Sequence, residues 1–140
     1  MSMDNKFINA RTSVYNTNYH VVWCVKFREE LINKELEEEI LDSFKRISKE
    51  KGFTITNIYI EDRNIVQCFL NIPPKISLTD AVKYLKGISA RHIFMFHPEL
   101  EEKKKRDGDF WNRSYFAETL GEINEEEARK YLEKQKVDKR

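Results

Sequence analysis

The chain has 140 residues, of which 40% are hydrophobic, 35% charged and 12% aromatic. This suits one domain with a single apolar core and excludes a disordered composition. Lys and Arg total 25 against 24 Asp and Glu, a net charge of +1; a strongly basic polynucleotide binder is excluded, although local basic patches are not. The polar start of the chain does not read as a secretory signal, and no apolar run reaches membrane-spanning length. Cys24 and Cys68 sit in apolar, strand-like runs without metal-ligand spacing, as buried thiols of a cytosolic protein with no membrane partner would.

Residues 1–12 read as a flexible arm of one domain spanning 1–140. Residues 18–27, NYHVVWCVKF, form a β-branched and aromatic run that predicts a buried strand. Residues 34–51 carry Leu36, Ile40, Leu41, Phe44 and Ile47 at helical spacing, with Asn33 as cap and Gly52 as terminator. Residues 53–60 and 64–72 read as two strands joined by a short link, a hairpin closed by Pro73 and Pro74.

Ser77 and Asp80 resemble a capping pair that opens a helix over 78–96. Val82, Leu85 and Ile88 face the core there, with Met95 at the margin. Residues 101–109, EEKKKRDGD, read as a charged, solvated loop, and residues 114–119 as strand. Asn124 and Glu127 are a further capping pair, ahead of a last helix at 124–137. The first six elements follow a ferredoxin-like βαββαβ order, an α/β (α+β) fold with an antiparallel sheet and helices on one face. The other face of the sheet is then free for function, including nucleic-acid contact.

Three stretches carry a resemblance: YHVVWCVKFR at 19–28, YLKGISAR at 84–91, and FWNRSYFAETLG at 110–121. A Y-x-x-x-Q pattern follows at Tyr131 and Gln135. Together, and in this order, they resemble the small single-tyrosine insertion-sequence transposases of the HUH class, the IS200-like family, with its REP-associated relatives. The resemblance implies a homodimer that binds hairpin-forming single-stranded DNA, with Tyr131 as nucleophile and a divalent metal, magnesium or manganese, as cofactor. A phenol is a weak nucleophile near neutral pH, and a metal neutralises the charge that develops on the phosphate.

The class takes its name from two histidines at i and i+2 of one strand, which point the same way and share one ion. Counted back from Ile72-Pro73-Pro74, the equivalent positions are Ile65 and Gln67; a one-residue shift gives Asn64 and Val66. Neither register holds a histidine. Isoleucine cannot ligate, Gln67 is a weak ligand, and Gln135, four residues after Tyr131, offers a carbonyl oxygen from the same helix face. His20, His92 and His97 fall elsewhere in the pattern. Poor metal binding and weakened or absent cleavage are therefore expected.

Lys83, Lys86 and Arg91 on one helix, Lys26 and Arg28 after the first strand, and Arg113 among Trp111, Tyr115 and Phe116 are candidate nucleic-acid contacts. The alternatives are a solvated helix face and aromatics that serve core or dimer packing. Tyr131 and Gln135 have their own alternative, ordinary packing and surface positions on an amphipathic helix. Three functions stay open. One is a transposase-derived binder of structured DNA or RNA that cuts poorly, either decayed or domesticated. The second is an active transposase with an altered metal site drawing on Gln67, Gln135 and Glu61 or Asp62. The third is a structural dimer.

Overall fold

The computed structural model describes residues 16–121. The expected arm at 1–12 and the helix at 124–137, with Tyr131, Gln135 and the Asn124/Glu127 pair, lie outside the described residues. The elements run β1 (Thr17–Cys24), α1 (Lys34–Lys51), β2 (Thr54–Glu61), β3 (Ile65–Ile72), α2 (Leu78–Phe96), α3 (Glu101–Asp107) and β4 (Phe116–Leu120).

The four strands form one sheet in the order β2-β3-β1-β4, and every neighbouring pair is antiparallel. This is the expected ferredoxin-like arrangement. Alternate strand residues point to opposite faces. Val21, Trp23, Val66, Cys68, Leu70 and Ile72 face α1 and α2 and are buried with Phe44, Ile47, Val82, Leu85, Phe110 and Trp111. The aromatics pack edge to face: the Trp23 and Trp111 rings lie 6.0 Å apart at 86°, and Phe110 and Trp111 4.8 Å apart at 89°. Such pairs add about 0.5–1.5 kcal/mol beyond the area they bury.

Local chemistry sets the helix ends. The Asn33 side chain accepts from Leu36 N at 2.8 Å and Ser77 Oγ from Asp80 N at 3.0 Å, each satisfying a first-turn donor. Gly52 ends α1 at φ 87°, with its N–H donating to Ser48 O. A side chain there is disfavoured by the left-handed backbone.

Four expectations need correction. The first strand stops at Cys24; Val25 makes a lone bridge to Trp111, and Lys26–Arg28 form a tight turn. Met95 is exposed, because the turn of α2 places Ala90 and Ile93 against the core instead. The charged stretch after Pro98 is not a solvated loop: it forms α3, with Lys103 and Asp107 buried. Lys103 Nζ donates to Glu29 Oε1 and Asp107 Oδ2, both at 2.8 Å, so ion pairs seat this helix in place of apolar contacts. Finally, β1 is interior, hydrogen-bonded to β3 and β4. The apolar run of residues 18–27, read as a first strand, is thus covered within the chain, and β2 and β4 are the outer strands.

Candidate nucleic-acid interface and metal strand

The face of the sheet turned away from the helices carries His20, Val22 and Cys24 of β1, Ile65, Gln67 and Phe69 of β3, and Tyr59 and Glu61 of β2. Cross-strand pairing sets these neighbours: Val22 is opposite Gln67, His20 opposite Phe69, Tyr59 opposite Gln67 and Glu61 opposite Ile65. Ile65 and Gln67 thus share one face, as the i, i+2 spacing requires.

Gln67 is held at both ends of its amide. Its Oε1 lies 2.9 Å from His20 Nε2, and its Nε2 donates to Glu61 Oε1 at 2.5 Å. His20 and Gln67 are 0% and 1% exposed, and the imidazole stacks on Phe69 with centroids 4.8 Å apart. With Gln67 Oε1 as the acceptor, His20 carries a proton on Nε2. This places His20, expected outside the site, in direct contact with it.

These residues do not fit a divalent ion. A metal would need lone pairs at Ile65 and Gln67: Ile65 has none, and the Gln67 carbonyl oxygen is turned to an imidazole nitrogen. Among the described residues, no group of three His, Cys, Asp or Glu side chains is placed to hold a metal. The third expected ligand, Gln135, lies outside the described residues.

Two cavities adjoin the segment before β4, and the first of them also touches β3 at Ile65. One, of about 320 Å³, is lined by Val22, Cys24, Arg28, Ile65, Asn112 and Phe116 among others. The second, of about 300 Å³, is lined by Thr79, Lys83, Lys86, Asp109 and Arg113. Asn112 and Tyr115 belong to both, so the two adjoin across the segment that precedes β4. Asn112 is fixed by its N–H to Cys24 O at 2.8 Å.

The expected basic residues divide by what they already hold. Lys83 and Arg113 are exposed and line the second cavity. Lys86 Nζ donates to Arg113 O and Ser114 O, both at 3.1 Å, and sits 5.9 Å from the Tyr115 ring centroid. It pins the segment between the cavities, and burial pulls its pKa down. Lys26 Nζ donates to Asp107 O at 2.6 Å, tying the turn after β1 to α3. Arg28 lines the first cavity, while Arg91 is exposed and lines neither. Trp111 is core, with Nε1 donating to Ser89 Oγ at 2.8 Å. Tyr115 and Phe116 remain at the cavities, with Phe116 55% exposed.

A profile of the IS200-like transposases matches residues 13–135 of the chain. The chain belongs to the IS200-like transposase family. The ISDra2 transposase TnpA of Deinococcus radiodurans is 34% identical over 126 residues, covering 90% of this chain and 89% of that protein. The transposase for insertion sequence element IS200 of Salmonella typhimurium is 28% identical over 107 residues, covering 76% of this chain and 69% of that one. Among solved structures, a candidate transposase from D. radiodurans R1 aligns with a TM-score of 0.69 at 29% identity, covering 86% of this chain and 92% of that one. A REP-associated tyrosine transposase, solved bound to a REP hairpin, aligns with a TM-score of 0.54 at 9% identity, covering 82% and 61%; at that identity the likeness is one of fold.

As an IS200-like transposase the protein is related to DNA transposition. The family of tyrosine transposases is generally metal-dependent. No helix among the described residues is long and apolar enough to cross a membrane. Sequence reasoning missed the part played by His20, because the contact is diagonal between strands and joins positions 47 residues apart. A signal was present: a buried histidine within a strand needs a polar neighbour.

Proposed function

We propose that this IS200-like transposase is a cytosolic protein that holds hairpin-forming single-stranded DNA and cuts it poorly or not at all. One observation carries the reading: Gln67, at a position where the resemblance leads one to expect a metal ligand, has its amide spent on His20 and Glu61, beside an isoleucine at the other expected position. In this reading a polar chain of protein groups takes the place of a cation, and among the described residues no group of three His, Cys, Asp or Glu side chains is placed to hold one. Binding is supported by the adjoining cavities with Arg28, Lys83 and Arg113 at their walls, Tyr115 between them and Phe116 in the first. Cations next to aromatic rings suit a strand with exposed bases and phosphates. The fold-level relative solved on a REP hairpin makes hairpin DNA the first ligand to try.

Tyr131 remains the proposed nucleophile and Gln135 its companion. A homodimer is proposed from the family resemblance, with β2 or β4 as the available edge.

The test is a panel of imperfect-palindrome DNA hairpins, incubated with the protein with and without manganese and run on a denaturing gel. The expected result is salt-sensitive binding, since neutralised phosphates release counterions, with no covalent adduct. An adduct that disappears in Tyr131→Phe would overturn the cleavage deficiency and turn attention to Glu61, the carboxylate already at Gln67, as an alternative ligand. Restoring both histidines, Ile65→His with Gln67→His, is the complementary arm: adduct formation only in that variant would assign the deficiency to these two positions.

A further inference from the structure

The turn after β1 holds its residues in a costly shape without a packing reason. Phe27 has φ 61° and ψ 18°, and Arg28 has φ 54°. Left-handed backbone disfavours any residue with a β-carbon, and bulky residues most. Burial does not offset this, because the Phe27 side chain is 72% exposed, the most of the large apolar residues exposed among those described.

The shape is nonetheless fixed from several sides. Arg28 N donates to Val25 O at 2.8 Å and Lys26 N to Phe110 O at 3.0 Å. Asn64 Nδ2 donates to Arg28 O at 2.8 Å, and the Asn64 carbonyl accepts from Val25 N at 2.8 Å. Lys103 Nζ reaches Lys26 O at 3.3 Å as well as Glu29, and Arg106 Nη2 meets the same Glu29 carboxylate at 2.7 Å. Asn64 follows a second left-handed pair, Asp62 at φ 52° and Arg63 at φ 59°. Two strained turns, linked through one buried asparagine, therefore flank the start of β3 and Ile65. Strain that the surroundings over-determine, and that gains no packing, collects at functional positions.

What the turn displays is an aromatic ring beside cations. Arg28 is exposed and lines the 320 Å³ cavity with Ile65 and Phe116, and Lys26 Nζ lies 5.8 Å from the Phe27 ring centroid. An apolar protein segment would gain little from this charge, whereas an unpaired base offers a π-face for the ring and its phosphate a partner for the guanidinium.

We infer that Phe27 is a base-stacking platform for single-stranded DNA, next in the turn to Arg28, which lines the cavity beside Ile65 and meets the adjoining phosphate. The inference deepens the proposed handling of single-stranded DNA and rests on that proposal, but it adds a residue with a defined contact. Strain in the turn serves to hold the ring out in solvent, where a base can reach it.

The test compares wild type, Phe27→Ala and Phe27→Trp on two probes: unstructured oligothymidylate, and a blunt DNA hairpin with no unpaired bases outside its loop. Because the side chain is exposed, the variants keep the core, which their circular dichroism and melting curves verify. Phe27→Ala is expected to weaken oligothymidylate binding about tenfold, within the range for loss of one stacked base, while hairpin-stem affinity is unchanged. Phe27→Trp is expected to restore binding and to show quenched emission on adding oligothymidylate; the other tryptophans, Trp23 and Trp111, are buried. Equal affinity of wild type and Phe27→Ala for oligothymidylate overturns the inference. So does an equal loss on both probes, or a wild type that does not bind oligothymidylate. Failure of wild type on the hairpin alone counts against the proposed hairpin function and leaves the oligothymidylate comparison to judge Phe27.

Discussion

His20 Nε2 lies 2.9 Å from Gln67 Oε1, joining two strands on the face of the sheet away from α1 and α2, and both side chains are shut off from solvent. Because Gln67 passes its own N–H to Glu61, the three residues form a directed chain of donors and acceptors. Gln67→Met keeps the length of the side chain and removes both bonds. That variant is expected to lose about 1–3 kcal/mol, since buried polar groups are left without their partner. Urea unfolding followed by fluorescence measures it, and stability equal to wild type would mean that the chain contributes nothing.

Ser89 Oγ is the acceptor for the Trp111 indole N–H, at 2.8 Å, and both residues are buried. Ser89→Ala leaves that N–H in the core without a partner. A loss of about 1–3 kcal/mol is expected, against a smaller loss for Ser89→Thr, which retains an acceptor. Chemical denaturation of the pair separates the hydrogen bond from the change in volume.

His97, just past α2, sits between Glu39 of α1 and Glu99, with Nε2 2.5 Å from the first carboxylate and Nδ1 2.9 Å from the second. The Glu39 bond, then the Glu99 bond, raises the His97 pKa above its ordinary value. A folded-state pKa above the unfolded one gives stability that is fully present below the unfolded pKa and is lost as pH rises through the folded pKa. His97→Ala is therefore expected to cost more at about pH 6 than at about pH 9, straddling an ordinary histidine value near 6.5. The carboxylates are substantially exposed, so the difference stays below about 1 kcal/mol. Melting temperatures of both proteins across that range check it; a constant gap between them would remove the ion pair from the account.

Cys24 and Cys68 differ in access. Cys68 is buried, and burial pushes its thiol well above the usual range, whereas Cys24 is partly exposed and lines the first cavity. In the native protein a maleimide is expected to label Cys24 first and leave Cys68 until unfolding, because the thiolate is the reactive form. A bulky adduct at Cys24 should also reduce oligothymidylate binding by filling the cavity. Mass spectrometry of the peptides and a binding measurement on the labelled protein test the two parts.

Much of the scaffold is visible in the residue pattern. Asn33, Gly52 and Ser77 mark helix ends by chemistry that is local: α1 begins and ends, and α2 begins, where those residues predict. Alternation in β3 gives the correct face for Ile65 and Gln67. What the pattern hides is non-local or electrostatic. EEKKKRD has no apolar periodicity, so a helix seated by Lys103 between two carboxylates is invisible to hydrophobic spacing. Phe27 and Arg28 give no glycine signal for their left-handed turn. The His20–Gln67 contact appears only once the register of β1 against β3 is known.

The interior place of β1 reaches into the life of the chain before it is whole. The first strand described is flanked on one side by β4, with Val22 opposite Phe116 and Asn18 opposite Leu120, and β4 is the last strand described. Until those late residues leave the ribosome, one long edge of β1 has no partner, and the clasp of Glu29 on Lys103 and Arg106 is open as well. An unpaired apolar edge recruits other strands. Premature stop codons between residues 110 and 115 would thus yield a sticky fragment, whereas losses beyond Gly121 spare every strand pairing described. Copies of the gene eroded from the 3′ end should therefore divide sharply into soluble and aggregating products at β4.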